Sequence, residues 1–297
     1  MSIICMGDFG SGEDDQFTVA KLVETLIKKY DTKLILGLGD NFYPNGVTSI
    51  YDDKFLDQFE LPYSNLPKAV KFYNVLGNHD YKGKIQPQID YTQISKRWIM
   101  NSNWYYFNKT INKNTVRFYA IDTNLENLSE KMKLEQREGL IKSIKNSSAK
   151  WNILYGHHPY RSTGYHGNCS QELESFYNEL INTGKIDIII SGHDHDQQEQ
   201  RDDREPGGPE PDPQRGVAQG PARHVRPDLG EAAEEQRCGV VVRAGDLRSG
   251  NAPAAAALSL WRWARRSVQR GRHGAACRQR WLRRMRMRRR WRTSPAP

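Results

Sequence analysis

Residues 34–46, LILGLGDNFYPNG, carry the pattern on which both the fold and the chemistry depend. The apolar run from Leu34 to Leu38 is typical of a buried β-strand. It is followed directly by Gly39 and an acid, Asp40, and a tyrosine stands three residues later. Glycine lets the backbone turn sharply at the end of a strand, so this stretch predicts that the chain places a polar side chain at the edge of a sheet.

Similar apolar runs recur in residues 1–196 and predict further strands: SIICM, FYNVL, VRFYAI, WNILY and IDIIIS. Helical patterns lie between them, in DDQFTVAKLVETLIKKYD, KLEQREGLIKSIKN and SQELESFYNELINTG. In the first of these, the side chains that share one face, as in an amphipathic helix, are Phe17, Ala20, Val23 and Ile27. The alternation of strands and helices predicts an α/β domain built on a largely buried sheet.

The composition changes abruptly close after Asp196. Residues 1–196 carry 22 basic and 24 acidic side chains, whereas residues 197–297 carry 22 basic and 11 acidic ones, so the net charge of +9 belongs to the last third. That last third contains no Lys, Ile, Tyr or Phe. Lys, Ile, Asn and Tyr have AT-rich codons, whereas Arg, Ala, Gly and Pro have GC-rich ones. Our leading interpretation of residues 197–297 is therefore a frameshift or chimeric join, and the alternative is a genuine disordered or basic tail.

The chain has no pattern typical of a membrane span or a targeting segment. Its cysteines have no paired spacing and no CxxC zinc signature. No apolar run approaches the ~20 residues of a membrane-spanning helix, and the first residues read as a strand. We therefore expect a cytoplasmic protein without a membrane partner, or a secreted one if an upstream signal was lost. We do not expect the basic tail to bind nucleic acid.

Five strand ends share one arrangement, in which glycine is followed by residues of metal-ligand type: CMGDFG, GLGDNFY, VLGNHD, LYGHHP and ISGHDHD. The carboxyl ends of parallel strands meet at one crevice, so we expect these side chains to lie together. Carboxylates, an amide and imidazoles without thiolates suit iron, manganese or zinc. They are too many for one ion and enough for two if one carboxylate bridges. Two metals ~3.5–4 Å apart are the usual arrangement for in-line attack at phosphorus.

The ordered set D-x-G, G-D-x-x-Y, G-N-H-D, G-H-x-P and G-H-x-H resembles the calcineurin-like metallophosphoesterase superfamily. Over residues 2–196 it is most similar to purple acid phosphatases, particularly the small, tartrate-resistant acid phosphatase type. Most superfamily members begin with D-x-H, whereas this chain has Asp8-Phe9-Gly10 and carries Tyr43 instead, as purple acid phosphatases do. The resemblance implies a catalytic domain at residues 1–196, a calcineurin-like β-sandwich flanked by helices, with the C-terminal strands missing or replaced.

The resemblance also implies the ligands of two metals. A phenol, with a pKa of ~10, coordinates at acidic pH only to a strongly Lewis-acidic ion, and ferric iron is the candidate. The implied Fe(III) ligands are Asp8, Asp40, Tyr43 and His195. The implied ligands of a divalent ion (Fe, Zn or Mn) are Asn78, His157 and His193, with Asp40 bridging. The implied substrate-binding and proton-donating histidines are His79 and His166, and the segment around His166 is the weaker match. His158 falls where the family often has tyrosine and is left outside the ligand set.

The implied function is that of a binuclear-metal acid phosphatase, in which a metal-bound hydroxide attacks the phosphorus of a monoester in line. His166 or His79 would donate a proton to the leaving alkoxide. The expected partner of this monomeric protein is a small phosphate ester or a phosphoprotein. Two alternatives stay open. One is a phosphodiesterase or nucleotide pyrophosphatase that uses the same metals, and the other is an inactive truncated or chimeric chain with a basic tail.

Overall fold

The computed structural model describes residues 2–111, 113–195, 198 and 240–243, and within these ranges the chain forms two β-sheets and five α-helices. The strands are β1 Ser2–Met6, β2 Leu34–Gly37, β3 Lys71–Asn74, β4 Trp98–Ile99, β5 Tyr105–Ile111, β6 Asn114–Ala120, β7 Trp151–Tyr155, β8 Ile188–Ile190 and β9 Val240–Arg243. The helices are α1 Asp14–Tyr30, α2 Asn78–Tyr81, α3 Gln86–Asp90, α4 Glu130–Lys145 and α5 Gln171–Ile181.

Both sheets are mostly parallel. The first has the strand order β4-β3-β2-β1-β9, in which β1 to β4 run parallel and β9 pairs antiparallel with β1. The second has the order β5-β6-β7-β8, in which β5 and β6 are antiparallel and the other pairs are parallel. Parallel strands place their carboxyl ends at the same edge, so each sheet gathers several strand ends on one side.

Strand β6 shows how the layers pack. Val116, Phe118 and Ala120 belong to a core cluster that includes side chains from both sheets. The alternate residue Tyr119 belongs to a second cluster that includes Leu140 of α4, together with residues of α5. Because successive side chains of a strand point to opposite faces, the second sheet packs on the first sheet with one face and on helices α4 and α5 with the other. Complete burial of each such side chain contributes about 1.5–3 kcal/mol of transfer free energy.

The predicted α/β fold with two sheets and flanking helices is confirmed, and so are the six predicted strands in residues 1–196 and the three long helices. Two strands were not predicted, β4 and β5. One assignment to a helix face needs correction, because Phe17 is 42% exposed. The buried positions of α1 are Gln16, Ala20, Val23 and Ile27. The Gln16 amide is buried there because it donates to the Gln58 carbonyl oxygen at 2.7 Å and accepts from the Gly12 N–H at 2.7 Å.

The stretch GVVVRAGDL, which reads as the one plausible strand of the last third, contains β9. Its backbone extends the first sheet beside β1, with Ile3 opposite Val242. The proposed division at residue 196 and the interpretations of residues 197–297 otherwise lie outside the described residues, apart from Gln198, and stay predictions. In the described part of the chain, no helix combines the length and the apolar character that a bilayer crossing requires.

Candidate metal centre

The carboxyl ends of five strands bring the predicted ligands together. Asp8 follows β1, Asp40 follows β2, Asn78 opens α2 after β3, His157 follows β7 and His193 follows β8. Strands from both sheets therefore contribute, so the centre lies where the carboxyl ends of the two sheets meet. Asp8, Asp40 and His157 are at most 2% exposed.

The backbone at these strand ends is unusual. Asp8, Asp40 and His193 have φ angles of 54°, 48° and 72°, in the left-handed region that non-glycine residues seldom adopt. Gly39, just before Asp40, has a φ of 90°, and a Cβ atom there would lie 2.8 Å from the His157 side chain. Backbone strain concentrated at three predicted ligands is characteristic of a functional site, because the surrounding structure must stabilise it.

Three side chains converge around the Tyr43 hydroxyl, and together with it they form what we call the Tyr43 cluster: Asp8, Asp40, Tyr43 and His195. The hydroxyl lies 2.9 Å from Asp40 Oδ2, 3.2 Å from Asp8 Oδ1 and 3.4 Å from His195 Nε2. His195 Nε2 is 3.5 Å from Asp8 Oδ1. These are the four residues that the family resemblance assigns to the trivalent ion.

Three other side chains form a second group, which we call the His157 cluster: Asn78, His157 and His193. Nε2 of His157 lies 3.0 Å from Asn78 Oδ1 and 3.2 Å from His193 Nδ1. The same nitrogen is 3.5 Å from Asp40 Oδ2. Asp40, a member of the Tyr43 cluster, thus also lies beside the His157 cluster, in the position expected of a bridging carboxylate.

The centre combines negative charge with burial. Burial by itself lowers the pKa of His157, but the neighbouring carboxylates, Asp40 foremost, outweigh it and raise that pKa to about 9. Conversely, burial favours a higher pKa for Asp40, but the charge and hydrogen bond of His157 hold that pKa below its usual range. A proton on His157 therefore balances the carboxylates, and a cation in the centre would take the place of that proton.

The pKa values of the other two ligand histidines, His195 and His193, shift in opposite directions. The hydrogen bond to Asp8 raises the pKa of His195. Burial, with a smaller contribution from the charge of His157, lowers the pKa of His193 to about 4. A neutral His193 has a lone pair available for a metal, as ligation requires.

Two polar neighbours of the centre were not predicted from the sequence. Asp80 is completely buried and accepts hydrogen bonds from the Asn41 and Gly77 N–H groups, and burial together with the Asp40 charge raises its pKa to about 7. His158, which the resemblance leaves outside the ligand set, lies beside His157 and His193. It forms a possible metal-binding group with His157 and His193, in which one ligand atom of each lies within 4.8 Å of the others. Its Nδ1 lies 2.8 Å from Thr123 Oγ1.

The two predicted acid–base histidines lie beside different residues of the centre. The ring of His79 packs against that of Tyr43 at an interplanar angle of 45°, with 4.5 Å between the centroids, and its Nδ1 lies 2.6 Å from the Pro44 carbonyl oxygen. Because a carbonyl oxygen only accepts, Nδ1 carries the proton, and Nε2, which lies 3.3 Å from Lys82 Nζ, carries the lone pair. The ring centroids of His166 and His193 lie 4.3 Å apart. His79 therefore belongs beside the Tyr43 cluster and His166 beside the His157 cluster.

This donor set fits metal ions. Asp8, Asp40 and His157 form a buried group whose ligand atoms all lie within 4.8 Å of one another. Two carboxylates this close and this buried repel each other, so they need compensating positive charge. Oxygen and imidazole donors suit iron, manganese and zinc. The residues present are therefore suited to hold cations.

Comparison with known proteins supports this interpretation. The family model described as calcineurin-like phosphoesterase matches residues 1–197. Purple acid phosphatase 3 of Arabidopsis thaliana is 30% identical over 224 residues, which cover 66% of this chain and 57% of that protein. Tartrate-resistant acid phosphatase type 5 of Homo sapiens is 29% identical over 228 residues, which cover 68% of this chain and 69% of that protein.

A solved structure described as "GAP50 the anchor in the inner membrane complex of Plasmodium" is similar in both sequence and fold. It is 26% identical, with a TM-score of 0.61, and the match covers 68% of this chain and 69% of that one. The chain spans 57% to 65% of the length of the first plant relatives that it matches. These similarities identify the family and the fold, and the activity is inferred from the residues of the site.

Proposed function

Because the chain belongs to the calcineurin-like phosphoesterase family, we propose that it is a binuclear-metal acid phosphatase that hydrolyses phosphate monoesters. In this proposal the Tyr43 cluster holds Fe(III) and the His157 cluster holds a divalent ion, Fe, Zn or Mn. The observation that carries it is the position of Asp40, whose Oδ2 lies 2.9 Å from the Tyr43 hydroxyl and 3.5 Å from His157 Nε2. One carboxylate oxygen within reach of both ligand sets is what two neighbouring ions require.

The two clusters differ in charge, and this difference supports the assignment of the ions. The Tyr43 cluster offers two carboxylates and a phenol, which are hard oxygen donors that favour a highly charged ion. The His157 cluster offers one amide oxygen and two imidazoles, which suit a divalent ion. Two cations held in this way would polarise the phosphoryl oxygens and acidify the attacking water.

The remaining steps depend on side chains of the chain itself. When it is protonated, Nε2 of His79 can donate to a phosphoryl oxygen or to the leaving group in place of its contact with Lys82 Nζ, which lies 3.3 Å away, while Nδ1 stays on the Pro44 carbonyl oxygen. His166 is exposed and lies beside His193, where a leaving alkoxide can take its proton. His79 beside Tyr43 and His166 beside His193 thus supply two candidate proton donors for the displacement.

The proposed function is tested by loading the full chain with Fe(III) and each divalent ion in turn and assaying it at acidic pH. We expect 4-nitrophenyl phosphate to be hydrolysed faster than bis(4-nitrophenyl) phosphate, and chelation of the metals to stop the reaction. A preference for the diester would favour the phosphodiesterase alternative. Absence of hydrolysis by protein that carries both metals would favour the inactive-chain alternative.

A second prediction concerns proton donation by His166. His166→Ala should leave the content of both metals unchanged, because the residue lies outside the two clusters. Turnover of an alkyl phosphate should fall by about 10²–10⁴-fold, the usual contribution of a general acid. Turnover of 4-nitrophenyl phosphate should fall much less, because nitrophenolate leaves without a proton. Equal losses on both substrates, or loss of a metal, would contradict this role.

A further inference from the structure

Asp194 lies between two predicted ligands, His193 and His195, yet its carboxylate belongs to neither cluster. It is 8% exposed and faces the loop of residues 162–168, which carries His166. Its Oδ1 accepts a hydrogen bond from the His166 backbone N–H at 2.8 Å. Its Oδ2 accepts one from the Ser162 hydroxyl, which is also buried. One side chain therefore links the segment of two predicted ligands to the loop of the predicted acid.

The loop packs directly against the Asp194 carboxylate. Gly164 has no side chain, and a Cβ atom there would lie 2.6 Å from Asp194 Cγ. The Gly164 N–H in turn donates to the Ser162 hydroxyl oxygen at 2.9 Å. By contrast, Tyr165 is 97% exposed and His166 is also exposed. Asp194 therefore provides a buried anchor for a loop whose tip lies at the surface.

We propose that Asp194 is a positioning residue that holds the His166 loop against His193 and so sets the geometry of proton donation to the leaving group. The proposal rests on the role proposed above for His166. The carboxylate accepts from the backbone N–H of His166 itself, so this bond fixes the backbone from which the imidazole reaches His193. Misplacement of a catalytic group by ~1 Å can cost about 10²-fold in rate. Loss of this anchor should therefore act through the proton donor and leave the metals in place.

A double-mutant cycle tests the proposal with the metal-loaded full chain. Asp194→Ala should lower turnover of an alkyl phosphate by about 10²-fold and affect 4-nitrophenyl phosphate much less. The same substitution in a His166→Ala background should cause no further loss, because the residue through which it acts is already absent. Additive losses, equal losses on both substrates or loss of a metal from Asp194→Ala would each overturn the proposal.

Amide hydrogen exchange gives a readout that does not depend on activity. In metal-free protein, Asp194→Ala should accelerate exchange of the His166 N–H by at least ~10-fold, because the bond that protects it is lost. Unchanged exchange would overturn the proposal. If the wild type proves inactive, the exchange result still decides whether Asp194 anchors the loop, and the failure is then that of the proposed function.

Two further variants serve as controls. Asp194→Asn keeps an oxygen for the His166 N–H and should retain most of the alkyl phosphate activity, which also covers the case in which Asp194→Ala does not fold.

Asp187→Ala removes another carboxylate, whose Oδ2 accepts from the Asn152 N–H at 2.7 Å at the other end of β8. We expect it to leave the ratio of the two substrates unchanged. A change in that ratio as large as that of Asp194→Ala would show that the effect is not specific and would overturn the proposal.

Discussion

Asp40→Asn is expected to remove metal from both clusters and to lower turnover of 4-nitrophenyl phosphate by at least ~10³-fold, because loss of metal assistance forfeits roughly 4 kcal/mol or more of transition-state stabilisation. The amide has nearly the volume of the carboxylate and keeps an oxygen for the backbone N–H of His79, which donates to Asp40 Oδ1 at 2.8 Å. The fold should therefore survive. What is lost is the negative charge that lies between the Tyr43 hydroxyl and His157.

Metal content per chain and turnover should be measured together, with far-UV circular dichroism as the check of folding. Asp57→Asn is a suitable control, because Asp57 is an exposed carboxylate outside both clusters. We expect this control to keep the metals and the activity of the wild type. An Asp40→Asn protein that retained both metals and normal turnover would show that Asp40 does not bridge them.

Strands β1, β2 and β7, which precede Asp8, Asp40 and His157, were predictable because their runs are mostly apolar and are buried on both faces. Strand β5 gives no clear strand signal for a physical reason. It lies at the edge of the second sheet, and its three aromatic residues are followed by the polar residues Asn108, Lys109 and Thr110, so it has neither a continuous apolar run nor an alternating pattern. Strand β4 spans only two residues, too few for any periodic signal. Phe17 was placed on the buried face because helical periodicity does not reveal that Gln16 finds buried polar partners.

The candidate site was predictable to the extent that its residues sit at strand ends. The sequence reveals that Asp8, Asp40 and His157 follow strands, and parallel strands deliver their ends to one edge. The supporting contacts have no such signal. Asp194 meets Ser162 and His166 through the folding of a loop, and the approach of His158 to His193 depends on its own rotamer and on Thr123. Contacts between side chains of irregular segments follow no period, so the sequence alone does not predict them.

The Tyr43→Phe protein is expected to lose the visible absorption that we predict for the iron-loaded, oxidised chain. The Tyr43 hydroxyl lies within 3.4 Å of Asp8, Asp40 and His195 atoms, so it can share an ion with them. A phenolate is an electron-rich anion, and bound to ferric iron it should give a ligand-to-metal charge-transfer band. Phenylalanine removes the oxygen and keeps the ring, so the packing of this ring on His79 should survive.

The matched control is Tyr106→Phe. Tyr106 lies on β5 in the second sheet, 49% exposed, with its ring beside Arg117. This substitution removes a phenol of the same kind outside both clusters, so the visible band should remain. Absorption should be recorded with the iron content, since a band lost together with the iron would not identify the ligand.

The same substitution tests why the chain carries a tyrosine after Asp40. If the phenolate stabilises ferric over ferrous iron, its removal should raise the reduction potential of the Tyr43 cluster, so that the variant is reduced by milder reagents than the wild type. Asp8, Asp40 and His195 would still supply oxygen and nitrogen donors, so iron should bind, although less tightly. A colourless iron-loaded wild type, or a variant that keeps its band, would show that Tyr43 is not a ligand. The turn that brings its hydroxyl to Asp40 would then have a packing role, and the trivalent ion would lose the donor that most favours it.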